Sequence, residues 1–176
     1  MSAYIRRLVP ADAEAFMALR RQALADSPGA FSSSPEDDRA SSLPFVLTML
    51  QGDSESTVFG AFGPELIGTV GLYRDDHKKT AHKAHLWGMF VAPEQRGRGV
   101  GRQLLHAAIA HARTLQGATQ AQLSVSAAAP EAKRLYESCG FRVWGEEPQA
   151  LCVDGQLVAE YHLTLFLEPK DPVGRD

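Results

Sequence analysis

Apolar residues alternate with polar ones along some stretches of this chain and recur every three or four residues along others, and these two periods divide it into strands and helices. Tyr4 to Leu8 alternates and predicts a first strand. Pro10-Ala11-Asp12 opens a helix over Asp12 to Ala25, with Phe16, Leu19, Ala23 and Leu24 on one face, and Asp26-Ser27-Pro28-Gly29 stops it. Ala30 to Asp38 is a Ser/Pro-rich loop that runs into Glu36, Asp37 and Asp38. Its chemistry suits a second helix from about Pro35 to Leu50, capped by Ser34, with the acids at the positive end of the dipole and a kink or split at Pro44. Thr57 to Phe62 and Leu66 to Tyr73 flank Gly63-Pro64-Glu65 and predict an antiparallel hairpin. Arg74 to Lys83 is a polar loop, and Ala84 to Val91 a strand. Val100, Leu104, Leu105, Ala108, Ile109, Ala112 and Leu115 then form one helical face, ended by Gly117. Gln120 to Ser126 alternates, with Leu123 and Val125 inward. Pro130 to Ser138 is a short helix stopped by Gly140, and Phe141 to Gly145 starts another strand. Asp154-Gly155 between two apolar runs is a hairpin signal, and Tyr161 to Leu167 extends the last strand. With no repeat and no linker, the order predicts a single mixed α/β domain over residues 1–168 and a polar tail over 169–176.

The strand ending at Val91 hands over to the helix beginning near Val100 through Ala92-Pro93-Glu94-Gln95-Arg96-Gly97-Arg98-Gly99. A helix start leaves backbone N–H groups without internal partners, and with the dipole they form an anion site. Gly97, Gly99 and Gly101 allow close approach, and Arg96, Arg98 and Arg102 add positive charge, which suits a pyrophosphate. A nucleotide P-loop would end in Gly-Lys-Ser/Thr, whereas Arg102-Gln103 follows Gly101. A dinucleotide fingerprint would place a carboxylate about 20 residues on, where Thr119 to Leu123 has none. A tight turn with a glycine-rich entry is the structural alternative.

Val91-x-Pro93-x-x-Arg96-Gly97-x-Gly99-x-Gly101 resembles the acetyl-CoA loop of the GCN5-related N-acetyltransferases, the GNAT family. Ala132-x-x-Leu135-Tyr136-Glu137-x-x-Gly140-Phe141 is similar to a second motif of that family, at the usual distance downstream. The resemblance implies a mostly antiparallel sheet of about seven strands, whose fourth and fifth run parallel and splay apart, with about four helices. It implies an N-acetyltransferase that moves acetyl from acetyl-CoA to a primary amine of a small molecule or protein, by direct attack in a ternary complex. Backbone N–H groups of Arg96, Gly97, Arg98, Gly99, Val100, Gly101 and Arg102 would bind the pyrophosphate. Met89, Phe90 and Val91 would pair with pantetheine, and an N–H near Met89 or Phe90 would donate to the thioester oxygen. Tyr136 matches the position that protonates the departing thiolate; by itself it reads as a packed tyrosine on a short helix. Gly29 to Ser34 is similar to a stretch in bacterial members, so the loop into Glu36, Asp37 and Asp38 borders the acceptor site in this reading.

Two departures leave an alternative open, a CoA-binding sensor or scaffold of the same fold with little turnover. Ala129 stands where many relatives carry Asn, and Ser124 where the ribosomal-protein alanine acetyltransferases carry a glutamate base. The base is open among His82, His85, Glu160 and His162, a water relay, or an acceptor already partly neutral. His106 and His111 are five apart, on different helix faces, which speaks against a shared metal.

Composition changes this picture little. The 176 residues are 44% apolar and 22% charged, as in ordinary globular domains. A net charge of -3 implies no general polyanion-binding surface, so nucleic acid is not an expected partner. No apolar run reaches membrane-span length, and Met1 to Arg7 lacks a signal-type apolar segment, so the expected setting is cytoplasmic, off the membrane. Cys139 and Cys152 read as free thiols. Members of the family often dimerise, so a homodimer is the expected assembly if any forms.

Overall fold

Seven strands join into one sheet in the computed structural model, where residues 3–167 are described. They are β1 (Tyr4–Arg7), β2 (Ser56–Phe62), β3 (Leu66–Arg74), β4 (Lys83–Val91), β5 (Gln120–Ser126), β6 (Arg142–Val153) and β7 (Gln156–Phe166). Their order is β1-β2-β3-β4-β5-β7-β6, and β4 beside β5 is the parallel pair. The helices are α1 (Ala13–Asp26), α2 (Leu43–Gln51), α3 (Val100–Ala112) and α4 (Pro130–Ser138). The tail over 169–176 lies outside the described residues. Among the described residues, no helix is long and apolar enough to cross a membrane.

Each sheet face carries its own core, because inward residues alternate along the strands. Val100, Leu104, Leu105, Ala108 and Ile109 of α3 pack with Val70 and Leu72 of β3 and Tyr136 of α4. Phe16 and Leu19 of α1 and Val46 and Leu50 of α2 pack with Val58 and Phe90.

The parallel pair opens because of an irregularity in β4. Thr69 faces Phe90 and Gly71 faces Trp87, so β4 carries one extra residue at this step. Gly88 lies there at φ 60°, a left-handed conformation suited to glycine. Such a bulge bends its strand and increases the twist. The pairing of β4 with β5 covers Lys83, Ala84 and His85 against Gln120, Ala121 and Gln122, and then stops. Gly71 assists: a Cβ there would come within 2.1 Å of the Trp87 ring, so glycine lets the indole lie across β3.

The second helix differs from expectation. Residues 35–37 form a turn, a short 3-10 turn spans Arg39–Ser41, and α2 begins at Leu43. The Asp37 carboxylate accepts the Ser34 N–H at 2.7 Å, and the Ser34 carbonyl accepts the amides of Asp37 and Asp38. That local bonding satisfies the backbone without a helix. Extended Ser42 then allows a fresh start, with Pro44 in the first turn, where its missing N–H costs nothing. β6 is longer than expected, and its hairpin with β7 turns on Asp154 and Gly155, both at positive φ as the two-residue turn requires.

Candidate active site

The anion loop is built where β4 hands over to α3. A 3-10 turn over Pro93–Gln95 uses the Arg96 amide, which donates to the Pro93 carbonyl at 3.2 Å. Gly97 and Gly99 follow at φ 74° and 80°, and α3 starts at Val100. Among the described residues, the amides of Gly97, Arg98, Gly99, Val100, Gly101 and Arg102 find no acceptor. The next amide, Gln103, donates to the Gly99 carbonyl at 3.1 Å. A Cβ on Gly97 or Gly99 would meet nothing within 4 Å, so the left-handed backbone stands open to solvent. The arrangement is a row of unpaired donors at the positive end of a helix.

Gly101 plays another part. A Cβ there would lie 3.1 Å from Leu135 Cδ2 and 3.4 Å from Met89 Cε, so glycine brings α3 close to α4 and to the bulge. The three arginines divide their tasks as well. Arg96 donates to Asp26 at 2.7 Å and to the Val91 carbonyl at 2.9 Å, and its guanidinium lies 5.4 Å from the Phe90 ring centre. It ties the end of α1 to the loop rather than leaving its charge free. The Ser27 hydroxyl and then Arg96 hold the Asp26 carboxyl below the usual range. Arg102 donates to Ser138 Oγ at 3.1 Å on α4, and Arg98 makes no ion pair among the described residues.

Met89 and Tyr136 meet in the gap between β4 and β5. They line a narrow cleft of about 80 Å³ with Trp87, Ser124 and Ala129. Tyr136 is 7% exposed, its ring edge-on to Phe141 at 6.2 Å. No residue among those described hydrogen-bonds its hydroxyl, and burial pushes the phenol well above its ordinary value. Phe90 and Val91 contribute backbone: they pair with Thr69 and Gly68 of β3, while the Phe90 ring belongs to the core under α1. Ala129 precedes α4 with its methyl in the cleft.

This slot opens into a wider cleft of about 810 Å³, and Phe31, Trp87 and Ser124 line both. Of the proposed bases, His85, Glu160 and His162 line the wide cleft. His82 is placed elsewhere, its carbonyl accepting the amides of Thr119 and Gln120. His85 Nε2 sits 3.2 Å from Asp75, an ion-pair distance without hydrogen-bond alignment, and its ring stacks on Tyr73 at 4.9 Å. Burial, reinforced by the Glu147 charge and opposed by His162, raises the Glu160 carboxyl above its usual range. Asp38 reaches the cleft wall, but both its oxygens accept from Arg20, at 3.1 and 3.2 Å. Its charge is therefore spent within the wall.

Sequence reasoning missed one grouping. Ser124 Oγ lies 2.9 Å from His162 Nδ1, and His162 Nε2 lies 3.1 Å from Glu147 Oε2. No spacing signals it, because the three residues meet only through the pairing of β5 with β7 and β7 with β6. In the sequence Ser124 had drawn notice only for the glutamate it replaces.

A model of the acetyltransferase (GNAT) family matches residues 16–141. The chain is 36% identical over 139 residues to a mycothiol acetyltransferase of Thermobispora bispora, covering 76% of this chain and 44% of that protein. It is 30% identical over 91 residues to a spermidine N(1)-acetyltransferase of Vibrio cholerae, covering 52% of this chain and 51% of that one. The chain thus spans about half the length of these curated relatives. Among solved structures, a putative acetyltransferase from Salmonella typhimurium with its cofactor acetyl-CoA superposes with a TM-score of 0.82 at 20% identity, covering 100% of this chain and 99% of that one. A GCN5-related N-acetyltransferase from Kribbella flavida gives 0.80 at 25% identity, covering 94% and 98%.

Proposed function

The chain belongs to the GNAT family of acetyltransferases, and from that premise we propose that it transfers an acetyl group from acetyl-CoA to a primary amine held in the wide cleft. The observation that carries this reading is the row of amides from Gly97 to Arg102 with no acceptor among the described residues. Six adjacent orphan donors at a helix start suit a diphosphate, and the loop has no bulk in front of Gly97 or Gly99. Arg98 adds charge, and the engaged side chains of Arg96 and Arg102 hold the loop in shape.

The parted strands supply the rest. Beyond His85, β4 has no partner on its β5 side among the described residues, so backbone groups about Met89, Phe90 and Val91 are available to an extended pantetheine arm. The same edge offers an N–H to a developing oxyanion at the thioester carbon. Acetyl-CoA supplies an activated acyl group, and direct attack by the amine needs the two ligands bound together. The slot and the wide cleft share a wall and open into each other, which supports that order.

Tyr136 lines the slot, and in this reading it gives its proton to the departing sulfur. A buried phenol stays protonated until the sulfur's negative charge appears beside it.

The test is free-thiol release from acetyl-CoA over a panel of primary amines, with the mass of each product measured. Amine-dependent release with a product 42 mass units heavier, as expected for about one acetyl group per amine, supports transfer. Stabilisation by acetyl-CoA with no release for any amine would leave a CoA-binding protein and sink the transferase reading.

A further inference from the structure

We propose that Ser124, His162 and Glu147 form a proton relay that accepts the proton of the acceptor amine, and this rests on the transferase reading above. Three strands of the sheet's far half bring them together: Ser124 faces His162 across β5 and β7, and Glu147 reaches it from β6. Ser124 Oγ lies 2.9 Å from Nδ1, and Glu147 Oε2 lies 3.1 Å from Nε2.

Elimination fixes the direction. An ionised carboxylate only accepts, so Nε2 carries the proton that Glu147 receives. The neutral ring then has Nδ1 bare, and the Ser124 hydroxyl donates to it. The serine oxygen keeps lone pairs that face the cleft, where Ser124 is exposed and lines both the narrow slot and the wide cleft. The ammonium of a bound acceptor can therefore give a proton to Ser124 Oγ while the serine's own proton moves to His162 Nδ1. The neutral nitrogen then forms the C–N bond as the C–S bond breaks, Tyr136 gives its proton to the departing sulfur and recovers the one shed by the new amide nitrogen, and Glu147 stabilises the imidazolium until it returns its proton to solvent. Ser124 is the group that touches substrate, and Glu147 is a positioning residue.

The surroundings support the assignment. An extra residue in β6 between Val143 and Gly145 places Trp144 in a bulge, its ring tilted over His162 at 5.4 Å. The charged groups facing the imidazole are Glu147 from β6 and Glu160, two residues before it on β7; β5 presents the neutral Ser124. His85 is less suited, because its Nε2 is buried against Asp75 and its face is covered by Tyr73.

The test uses the full chain, acetyl-CoA and two probe amines: spermidine, cationic at neutral pH, and hydroxylamine, which is neutral there. Ser124→Ala and His162→Gln are expected to lower kcat/KM for spermidine by about 10²-fold, to push its rate toward higher pH, and to change the hydroxylamine rate less than about ten-fold. Glu147→Gln should keep more activity than Glu147→Ala, since an amide oxygen can still accept from Nε2. Equal losses with both amines would show a merely structural role and overturn the relay. If wild type acetylates neither amine, the relay still meets an independent measurement: 15N shifts of the His162 ring. Protonated Nε2 with bare Nδ1, perturbed by Ser124→Ala, supports it, and the opposite tautomer overturns it.

Discussion

Burial raises the Tyr136 phenol and the Glu160 carboxyl above their ordinary values, and the consequences differ with their place. For Tyr136 the hydroxyl is the only atom with chemistry, and removing it leaves the ring against Phe141 untouched. Tyr136→Phe is therefore expected to lower kcat by about 10²-fold and to leave acetyl-CoA binding near normal. Steady-state kinetics with a binding titration check this, and unchanged turnover removes Tyr136 from the chemistry. Glu160 bears on stability. Burial, with the Glu147 charge, raises its carboxyl above the ordinary 4.5. The native state then holds this proton more tightly than the unfolded chain, so stability falls as pH rises from 4.5 through the raised value. Glu160→Gln should melt higher than wild type at pH 7, with the gap closing below the ordinary value. Asp12 has the opposite sign. The hydrogen bond from Arg6, at 2.7 Å, is the main cause that holds its carboxyl below the ordinary 3.8. Its contribution is complete above 3.8 and is lost as pH falls through the depressed value, so Asp12→Asn should flatten the acid limb of a melting-temperature profile. These environments were not legible in the sequence: Glu160 had stood out only as one of four possible bases, and nothing along the chain marked Ser124 as a partner for His162.

Individual elements show where pattern suffices and where it fails. The face of α3 was legible because seven apolar residues at helical spacing leave no other period, and all seven are buried, although the helix ends at Ala112 and leaves Leu115 and Gly117 in the turn beyond it. The middle of β6 was not, since Glu146-Glu147-Pro148-Gln149-Ala150 has no alternation and contains a proline. A strand forms there because β6 is the edge of the sheet, where a proline is tolerated, and because an irregular step between Glu147 and Leu151 takes up the excess, with Gln149 at positive φ. The second helix failed for a related reason: Asp37 and Ser34 bond to each other's backbone, so good capping chemistry made a turn. Gly101 was legible as part of a motif, but its reason is packing against Leu135 and Met89. Gly101→Ala asks Leu135 to yield a few tenths of an ångström and gains helix propensity, so it should be nearly neutral. Gly101→Val overpacks the contact, at about 1–3 kcal/mol, a fall in Tm of roughly 2–12 °C. It should also weaken stabilisation by acetyl-CoA, because α3 moves off the bulge. A thermal melt with and without the ligand reads both effects, and a valine variant that melts and binds like wild type would remove the packing argument.

At the scale of the whole molecule, the sheet is two pieces held at one short seam. One side is β1 to β4 and the other is β5, β7 and β6; among the described residues, three residue pairs join them, between Lys83–His85 and Gln120–Gln122. Below the seam α3 and α4 close the gap through Met89, Gly101 and Leu135. Opening at the seam breaks few backbone hydrogen bonds, so this region should exchange amide hydrogens more readily than β2 and β3, which pair along their whole length. A ligand lying in the gap binds the closed form and not the opened one. At a hundred times its Kd it stabilises the closed form by about 2.7 kcal/mol, which slows exchange through that opening by about 100-fold. Acetyl-CoA is therefore expected to protect the amides of β4 beyond His85, those of β5 near Ser124, and the start of α3 together, and to leave the hairpin of β6 and β7 almost unchanged. Hydrogen exchange read by mass spectrometry distinguishes this from a simpler picture. Protection confined to residues 97–102 would mean that the anion loop binds while the strands stay apart, and the gap would then have no part in holding the acyl arm.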